Sequence, residues 1–259
     1  MQEEKIFQAP IGESAFSRDR VNILIPFHAE YSRVSALVQS IWAVTRSNPY
    51  QICLIDDASP NADFIQQFKD KPQIITVRSE KQLGFAGALQ LGYESTSQPW
   101  VLFMHSDCIV QTANWMIEMG RALLEMKSIG VRMVSARSNN PGDVDPRLKA
   151  SSKEQSPHIV MDGPDSFLPL YCAMCHRELF PHIGGFIKNY PYAFYEDVEL
   201  AHRMRKYGYK QAICGKSWVN HTGWATIDYV CSKNLKAKKE MEKNRERCTA
   251  DIAKLKGGH

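Results

Sequence analysis

Acidic side chains stand at three positions of this chain where they could do chemistry. Asp107 follows an apolar run at residues 100–104, and the adjacent Glu196 and Asp197 follow a run rich in aromatic residues. Carboxylate oxygens are the ligands that Mg²⁺ and Mn²⁺ prefer, and Mn²⁺ also accepts imidazole. A carboxylate can equally remove the proton of an attacking hydroxyl group. These residue types therefore suit a metal-assisted transfer onto a hydroxyl acceptor.

Each of these positions also has a purely structural explanation. Acidic residues in the first turn of a helix complement the helix dipole, which is the alternative role for Glu196 and Asp197. An Asp that follows a strand is often the N-cap of the next helix, which is the alternative for Asp107. A single histidine such as His221 is more often packed or exposed than a ligand, and Lys81 is consistent with a solvated loop charge. Residue types and spacing leave these alternatives open.

The first half of the chain alternates short apolar runs with amphipathic segments. We predict five strands, at residues 21–26, 51–55, 73–77, 100–104 and 131–136. Apolar residues recur with helical spacing between these runs, which predicts helices at residues 32–46, 85–93 and 112–126. Strands and helices in this order predict a mostly parallel central sheet flanked by helices, a Rossmann-like α/β fold in a single domain.

Ligands of such a sheet bind at the carboxyl ends of its strands. Asp56 and Asp57 follow the second predicted strand, and His105, Ser106 and Asp107 follow the fourth. Because parallel strands end at the same edge of a sheet, we expect these two groups of polar residues to line a common crevice.

The second half of the chain has a different pattern. Residues 139–166 are rich in Pro, Gly, Ser, Asp and Lys, which predicts a long loop that covers or frames a ligand. Beyond this loop, the spacing predicts a helix that begins near Glu196 and is capped by Gly208. Two short strands are predicted after it, at residues 209–214 and 217–221.

Positive charge is concentrated near the C-terminus. Residues 231–256 contain nine Lys or Arg and four acidic residues, a net charge of +5, whereas the whole chain carries +4. The remainder is close to neutral, which argues against nucleic-acid binding, because such proteins carry their positive charge around the site. The sparse apolar residues of this segment predict a basic helix that covers the domain, touches an anionic membrane surface or forms a homodimer contact.

The lack of a recognisable targeting signal and the usage of cysteine predict a cytoplasmic protein. We find no signal-peptide pattern and no apolar run of about 18 residues. Seven cysteines lie mostly in apolar segments, which favours reduced thiols over a disulfide framework. Residues 172–176 match the c-type haem attachment motif, but haem attachment of that kind requires export, which the N-terminus does not support. The two cysteines could also bind zinc, but a zinc site would need two more ligands at suitable spacing. We interpret this string as part of a strand.

Seven segments that follow one another through most of the chain carry a family resemblance. They lie at residues 21–30, 54–59, 83–89, 102–107, 183–186, 195–203 and 206–209, with the sequences VNILIPFHAE, LIDDAS, LGFAGAL, LFMHSD, IGGF, YEDVELAHR and KYGY. In this order and at this spacing, they resemble the motifs of the inverting glycosyltransferases of family 2, which adopt the GT-A fold. The resemblance spans residues 21–224.

The resemblance implies that a nucleotide-sugar donor, linked to UDP, GDP or dTDP, binds at the ends of the first strands. It implies that Asp57 contacts the nucleobase. The other implied donor-binding residues are Phe27, His28, Glu30, Lys81, Gly84 and Ser106. Two residues depart from the family pattern, since Ala29 stands where Asn is usual and Gln82 does not restore the Asn of the third motif.

The resemblance also implies a site for Mn²⁺ or Mg²⁺. Many family members keep the last Asp of the metal motif and add a later histidine, which implies that Asp107 and His221 are ligands here. His105 replaces the first acid of that motif and is a further candidate ligand.

The implied mechanism is a single in-line displacement that inverts the configuration of the sugar. Asp197 is then the base that removes the acceptor proton, and Glu196 orients the acceptor or Asp197. We expect Tyr192 and Trp224 to stack on sugar rings.

We therefore predict an N-terminal extension (residues 1–20), a glycosyltransferase domain (21–227) and a basic C-terminal helix (228–259). Within the domain, residues 21–136 bind the nucleotide, 137–166 form a flexible loop and 167–227 carry the acceptor and catalytic groups. The predicted reaction is a metal-dependent, hexosyltransferase-like transfer to a glycan, a lipid-linked or another hydroxyl acceptor.

Two other functions remain as alternatives. A non-catalytic relative would bind nucleotide sugars or glycans, but a binding module has no need of a base such as Asp197. A nucleotidyltransferase of related fold would carry a Gly-rich loop with Arg or Lys after the first strand, and residues 27–30 lack such a loop.

Overall fold

The computed structural model of the protein describes residues 20–45, 49–142, 144–151, 154–223 and 235–257. Nine strands form one sheet within these residues. The strands are β1 (Val21–Phe27), β2 (Tyr50–Asp56), β3 (Ile74–Arg78), β4 (Trp100–Met104), β5 (Cys108–Val110), β6 (Val131–Ser138), β7 (Ile159–Met161), β8 (Cys172–His176) and β9 (Lys210–His221). The α-helices are α1 (Tyr31–Val44), α2 (Phe85–Glu94), α3 (Trp115–Glu125), α4 (Leu179–His182), α5 (Glu196–Lys206), α6 (Leu235–Glu242) and α7 (Asn244–Gly257).

The strand order is β3-β2-β1-β4-β8-β6-β9-β5, and β7 pairs with β9 beside this path. The first four strands pair in parallel, as the alternating pattern predicts. Beyond β4 the sheet is mixed: β6 and β9 pair in parallel, whereas β8 lies antiparallel between β4 and β6, and β5 and β7 pair antiparallel with β9. Apolar runs alone do not encode strand direction, so this difference required the tertiary structure.

Helices cover both faces of the sheet and bury it. All seven residues of β1 are buried, which is why this strand is a nearly continuous apolar run and does not alternate. Helices α1 and α3 pack on one face, where Val34, Leu37, Ile41 and Trp115 join the core. Helices α2, α4 and α5 pack on the other face. The first-half helix predictions are confirmed to within a few residues.

Two predictions for the second half need correction. The segment at residues 139–166 is not an uninterrupted loop, since it contains a short 3-10 helix (Pro146–Leu148) and strand β7. The two predicted strands after α5 are the single strand β9, whose pairing with β6 shifts register between Ala136 and Arg137. The predicted end of α5 is confirmed, since Gly208 adopts a φ of 75° just beyond the helix.

The basic C-terminal segment forms two helices, α6 and α7, where one was predicted. Helix α7 packs against α5. None of the helices in the described ranges has both the length and the apolar character needed to cross a bilayer. Trp224, which we expected to stack on a sugar, lies outside the described residues.

Candidate active site

A cavity of about 890 Å³ opens at the carboxyl ends of β1, β2 and β4. The other walls come from the first turn of α5, from residues 140–142 and 144, and from the helices α6 and α7. Seven of the predicted site residues that line it are Phe27, His28, Asp57, Gly84, Ser106, Glu196 and Asp197. The three predicted metal ligands, His105, Asp107 and His221, line it as well. The crevice predicted from the strand ends is therefore present.

His105, Asp107 and His221 form a cluster on the floor of the cavity. His105 and Asp107 lie in the turn between β4 and β5, and the antiparallel pairing of β5 with β9 places His221 opposite Cys108. His221 Nε2 lies 3.3 Å from His105 Nδ1 and 3.3 Å from Asp107 Oδ1. One ligand atom from each of the three residues lies within 4.8 Å of the other two. Two atoms bound to one ion at adjacent positions, each about 2.1 Å from it, lie about 3 Å apart, so this cluster can hold a cation.

The ring of His221 is oriented by its surroundings. Its Nδ1 atom lies 2.7 Å from the carbonyl oxygen of Asn140, which can only accept a hydrogen bond. Nδ1 therefore carries the proton and donates it, which leaves the lone pair of Nε2 directed at Asp107 and His105. The ring stacks on Tyr171, with centroids 4.9 Å apart and an angle of 18° between the planes. A carbonyl partner of this kind is the usual outer contact of a metal-binding histidine.

Electrostatics in the cluster favour a cation. Burial and the neighbouring His221 lower the pKa of His105 to about 4, so its ring is neutral at physiological pH. Burial by itself would raise the pKa of Asp107, but the neighbouring rings of His221 and His105 outweigh it and lower this pKa to about 2. A carboxylate and two imidazoles thus face one another, and this donor set fits a divalent cation.

Asp57 organises the loop that follows β3. Its Oδ1 accepts hydrogen bonds from the Leu83 N–H (2.6 Å) and the Ser79 hydroxyl (3.2 Å), and its Oδ2 accepts one from the Gly84 N–H (2.9 Å). Burial raises the pKa of Asp57, and these bonds offset part of that rise. A carboxylate offers about four acceptor positions, so about one remains for a ligand.

The loop after β1 is strained at the position where the family pattern has Asn. Ala29 adopts a φ of 61°, in the left-handed region where Asn is several-fold enriched among non-Gly residues. Its N–H donates to the Ser59 hydroxyl (2.9 Å), and His28 Nδ1 lies 2.7 Å from the Asp57 carbonyl oxygen. These contacts attach the loop after β1 to the loop after β2. They therefore hold Ala29 in its left-handed conformation.

Two predicted donor-binding residues do not line the cavity. Glu30 is buried behind it, where its Oε2 accepts a hydrogen bond from the Ser106 hydroxyl at 2.5 Å. Lys81 is exposed, and its neighbours Gln82 and Gly84 line the cavity in its place. Sequence reasoning also missed Tyr171 and Asn140, because neither residue lies in a motif and both reach His221 only through the fold.

Glu196 and Asp197 lie in the first turn of α5 and line the same cavity as the His105–Asp107–His221 cluster. Burial raises the pKa of both carboxyl groups, and the charge of Asp197 raises that of Glu196 further. Asp197 Oδ1 accepts a hydrogen bond from the Val198 N–H (2.8 Å). The buried Oε2 of Glu196 has no hydrogen-bond partner among the described residues. As the pH rises, Asp197 therefore loses its proton before Glu196 does.

Farther along α5, Arg203 ties the helix to the segment that precedes it. Its Nη1 donates to the Gly185 carbonyl (2.6 Å), and its Nη2 donates to the Phe186 carbonyl (2.8 Å) and to Glu199 Oε2 (3.1 Å). The arginine of the 195–203 motif thus fixes the position of α5.

Residues 22–184 match the sequence profile of a family described as "Glycosyl transferase family 2", and this span is more than half of the chain. The chain belongs to glycosyltransferase family 2.

One relative of this family 2 glycosyltransferase is distant in sequence. An uncharacterized glycosyltransferase of Haemophilus influenzae is 26% identical over 87 residues, which cover 34% of this chain and 29% of that protein. The chain thus spans less than a third of the length of this relative.

Solved structures show the same fold. GalNAc-T7 with UDP, GalNAc and Mn²⁺ has a TM-score of 0.61 at 16% identity, over 79% of this chain and 44% of that one. The mannosyltransferase PcManGT of Pyrobaculum calidifontis, in complex with GDP-Man and Mn²⁺, has a TM-score of 0.60 at 14% identity, over 93% and 76%. TarS of S. aureus with UDP-GlcNAc has a TM-score of 0.59 at 12% identity, over 81% and 60%. The predicted GT-A fold is confirmed.

Proposed function

We propose that this glycosyltransferase moves a sugar from a nucleotide-diphosphate donor to an acceptor hydroxyl, with the help of a divalent cation and with inversion. The observation that carries this proposal is that one cavity contains both the His105–Asp107–His221 cluster and the Glu196–Asp197 pair. A binding module would have no use for a carboxylate with a raised pKa beside a metal site, so we favour the enzyme over a non-catalytic relative.

The donor is proposed to lie along the loops after β1, β2 and β3. Phe27, His28, Asp57 and Gly84 line that end of the cavity. Solved structures of similar fold hold UDP or a GDP- or UDP-linked sugar, which supports a donor of this class. A cation bound at the cluster would neutralise the charge that develops on the leaving diphosphate. His105, Asp107 and His221 are the residues that would hold it.

Mn²⁺ is the ion that we propose for this site. Two imidazoles and one carboxylate are a donor set that Mn²⁺ accepts, whereas Mg²⁺ prefers oxygen ligands in a nearly ideal octahedron. The Mn²⁺ present in the similar structures agrees with this choice.

Asp197 is proposed as the base. Its raised pKa makes the carboxylate a better proton acceptor than an exposed Asp, and at about 6 this pKa still leaves Asp197 mostly ionised at neutral pH. An acceptor hydroxyl bound beside Asp197 would lose its proton as its oxygen attacks the anomeric carbon on the face opposite the leaving diphosphate. That geometry inverts the sugar.

Glu196 is proposed to orient the acceptor. As a neutral acid it has an O–H group to donate, and its buried Oε2 has no partner in the part of the chain that the structure describes. A rotation of this carboxyl group would present its O–H to an acceptor oxygen in the cavity that Glu196 lines. The sugar, the acceptor, the cytoplasmic location and a membrane or homodimer contact of the C-terminal helices stay predictions.

The test is a turnover screen of sugar nucleotides with Mn²⁺, comparing wild type with Asp197→Asn and Glu196→Gln. We expect Asp197→Asn to lower kcat by roughly 100- to 10,000-fold, the usual contribution of a general base, while the nucleoside diphosphate still binds. Glu196→Gln keeps a neutral side chain at this position, so its kcat should fall much less. Full activity of Asp197→Asn would exclude this base, and nucleotide binding without turnover for any donor would favour the non-catalytic relative.

A further inference from the structure

The turn that precedes the Glu196–Asp197 pair has an unusual backbone. In residues 190–195, called here the aromatic turn, Tyr192, Phe194 and Tyr195 have φ values of 68°, 78° and 74°. Bulky residues avoid this left-handed region, and such conformations persist only where the surrounding structure holds them. The elements that hold the aromatic turn therefore also determine where Glu196 and Asp197 point.

The loop after β3, which ends at Gly84 and leads into α2, holds the aromatic turn from one side. The Phe85 N–H donates to the Tyr192 carbonyl oxygen at 2.7 Å. Gly84 approaches so closely that an added Cβ would lie 2.8 Å from the same oxygen.

Helix α7 holds the turn from the other side. Asn244, the first residue of α7, is fully buried, and its Nδ2 donates to the carbonyl oxygens of Pro191 (2.9 Å) and Ala193 (2.7 Å). Both N–H groups of the Asn244 amide thus donate hydrogen bonds to the aromatic turn. The Oδ1 of Asn244 accepts a hydrogen bond from Arg247 Nη1 (2.7 Å), which fixes the orientation of this amide.

Further contacts along α7 extend the same interface. Cys248 Sγ lies 3.6 Å from the Tyr195 carbonyl oxygen, and Asp251 Oδ2 accepts a hydrogen bond from the Tyr190 hydroxyl (3.0 Å) and pairs with Lys188 Nζ (3.3 Å). Asn244 and Cys248 are the buried residues of α7. The helix offers little apolar surface, so directed polar contacts with the aromatic turn add to its packing against α5.

We propose that Asn244 is a positioning residue and that α7 is part of the catalytic apparatus, because it holds the aromatic turn in the conformation that aims Glu196 and Asp197 into the cavity. This inference rests on the proposed function. It assigns the C-terminal helix a role that its basic composition did not indicate.

The experiment compares full-length wild type with Asn244→Asp, an isosteric change that removes both donated hydrogen bonds. Thr249→Ala is the matched control, since Thr249 is an exposed residue of the same helix that bonds only to the Arg245 carbonyl in the described contacts. We would measure kcat and KM, the Kd of UDP and GDP with Mn²⁺, and amide hydrogen exchange of residues 188–197.

We expect Asn244→Asp to lower kcat by roughly 10- to 100-fold, because a displacement of about 1 Å in a catalytic group has effects of that size. The Kd of the nucleoside diphosphate should change far less than kcat, and exchange should accelerate in residues 188–197 but not in β1 or β4. Thr249→Ala should match wild type. If Asn244→Asp does not fold, Asp251→Ala, which removes the Tyr190 and Lys188 contacts together with an exposed contact to Lys254, should show the same pattern with smaller effects.

Unchanged hydrogen exchange in residues 188–197 would overturn the proposal, and so would a kcat equal to that of wild type. Faster exchange spread evenly over the whole protein would also overturn it, since that would indicate general destabilisation. Absence of turnover in wild type would instead overturn the proposed function, and hydrogen exchange alone would then decide whether α7 holds the aromatic turn.

Discussion

His105 and His221 are 116 residues apart in the chain, yet His105 Nδ1 lies 3.3 Å from His221 Nε2. The turn after β4 carries the first residue and the last position of β9 carries the second. Antiparallel pairing of β5 with β9 brings them together, and Asp107 Oδ1 lies 3.3 Å from the same nitrogen. The resulting site has two imidazoles and one carboxylate, and this set of ligand atoms determines which divalent ion it prefers.

We predict that Mn²⁺ binds this protein more tightly than Mg²⁺, and that His105→Asp shifts the preference toward Mg²⁺. The substitution replaces one nitrogen ligand with an oxygen ligand, which suits the harder ion. Titration calorimetry with each ion, in the presence of a nucleoside diphosphate, would measure both affinities.

His221→Ala should weaken Mn²⁺ binding by more than roughly 100-fold, since loss of an outer partner of a ligand already costs about 10- to 100-fold. His158→Ala is a suitable control, because His158 accepts a hydrogen bond from the Gly215 N–H and does not line the cavity. Equal Mn²⁺ affinity of His221→Ala and wild type would show that the ion binds elsewhere.

Activity should follow a bell-shaped pH profile. Asp197 acts as an ionised base, so kcat should fall as the pH drops through its pKa, which burial raises above the ordinary Asp value of about 3.9. Glu196 acts in its protonated form, so kcat should fall again as the pH rises through its raised pKa. The two apparent values belong to the coupled pair.

Glu196→Gln separates the two limbs of this profile. Glutamine cannot ionise, so the alkaline limb should disappear while the acidic limb remains. The measurement is kcat against pH at saturating donor and Mn²⁺. An alkaline limb that persists in Glu196→Gln would mean that another group titrates there.

Gly84→Ala should destabilise the protein more than Gly208→Ala. Both glycines have a positive φ, 80° and 75°, so each substitution costs about 1–2 kcal/mol through the backbone alone. A Cβ on Gly84 would also meet the backbone of Tyr192 at 2.8–2.9 Å, whereas nothing lies within 4 Å of a Cβ on Gly208. Urea denaturation gives both free energies of unfolding, and equal values would contradict the close approach of the aromatic turn.

Arg203→Leu should lower the free energy of unfolding by roughly 3–5 kcal/mol, because it leaves the buried Glu199 without its charged partner. Adding Glu199→Gln should recover part of this loss, since the unpaired charge is then removed. A double-mutant cycle by urea denaturation measures the coupling between the two residues. Additive losses would show that Arg203 acts through its backbone carbonyl partners, Ile183, Gly185 and Phe186, and not through Glu199.

The local pattern of the chain was sufficient to predict much of the fold. Apolar runs and helical spacing located β1 to β4 and α1 to α3, because those elements are buried on the faces that their periodicity marks. The rule that ligands bind at the carboxyl ends of parallel strands placed Asp57 and Asp107 at one cavity. Glu196 and Asp197 were identified by family resemblance, since their spacing alone fits a helix N-terminus equally well.

Only the tertiary structure decided the rest, because it depends on pairings between distant segments. The direction of β8 and the pairing of β5 with β9 are set by packing, and they bring His105 to His221. The hydrogen bond that directs His221 Nε2 comes from a backbone carbonyl, which every residue possesses and no motif can mark. The same holds for Asn244, whose amide binds two carbonyl oxygens about 50 residues earlier in the chain. Sequence determined which residues could react, and the fold determined which of them meet.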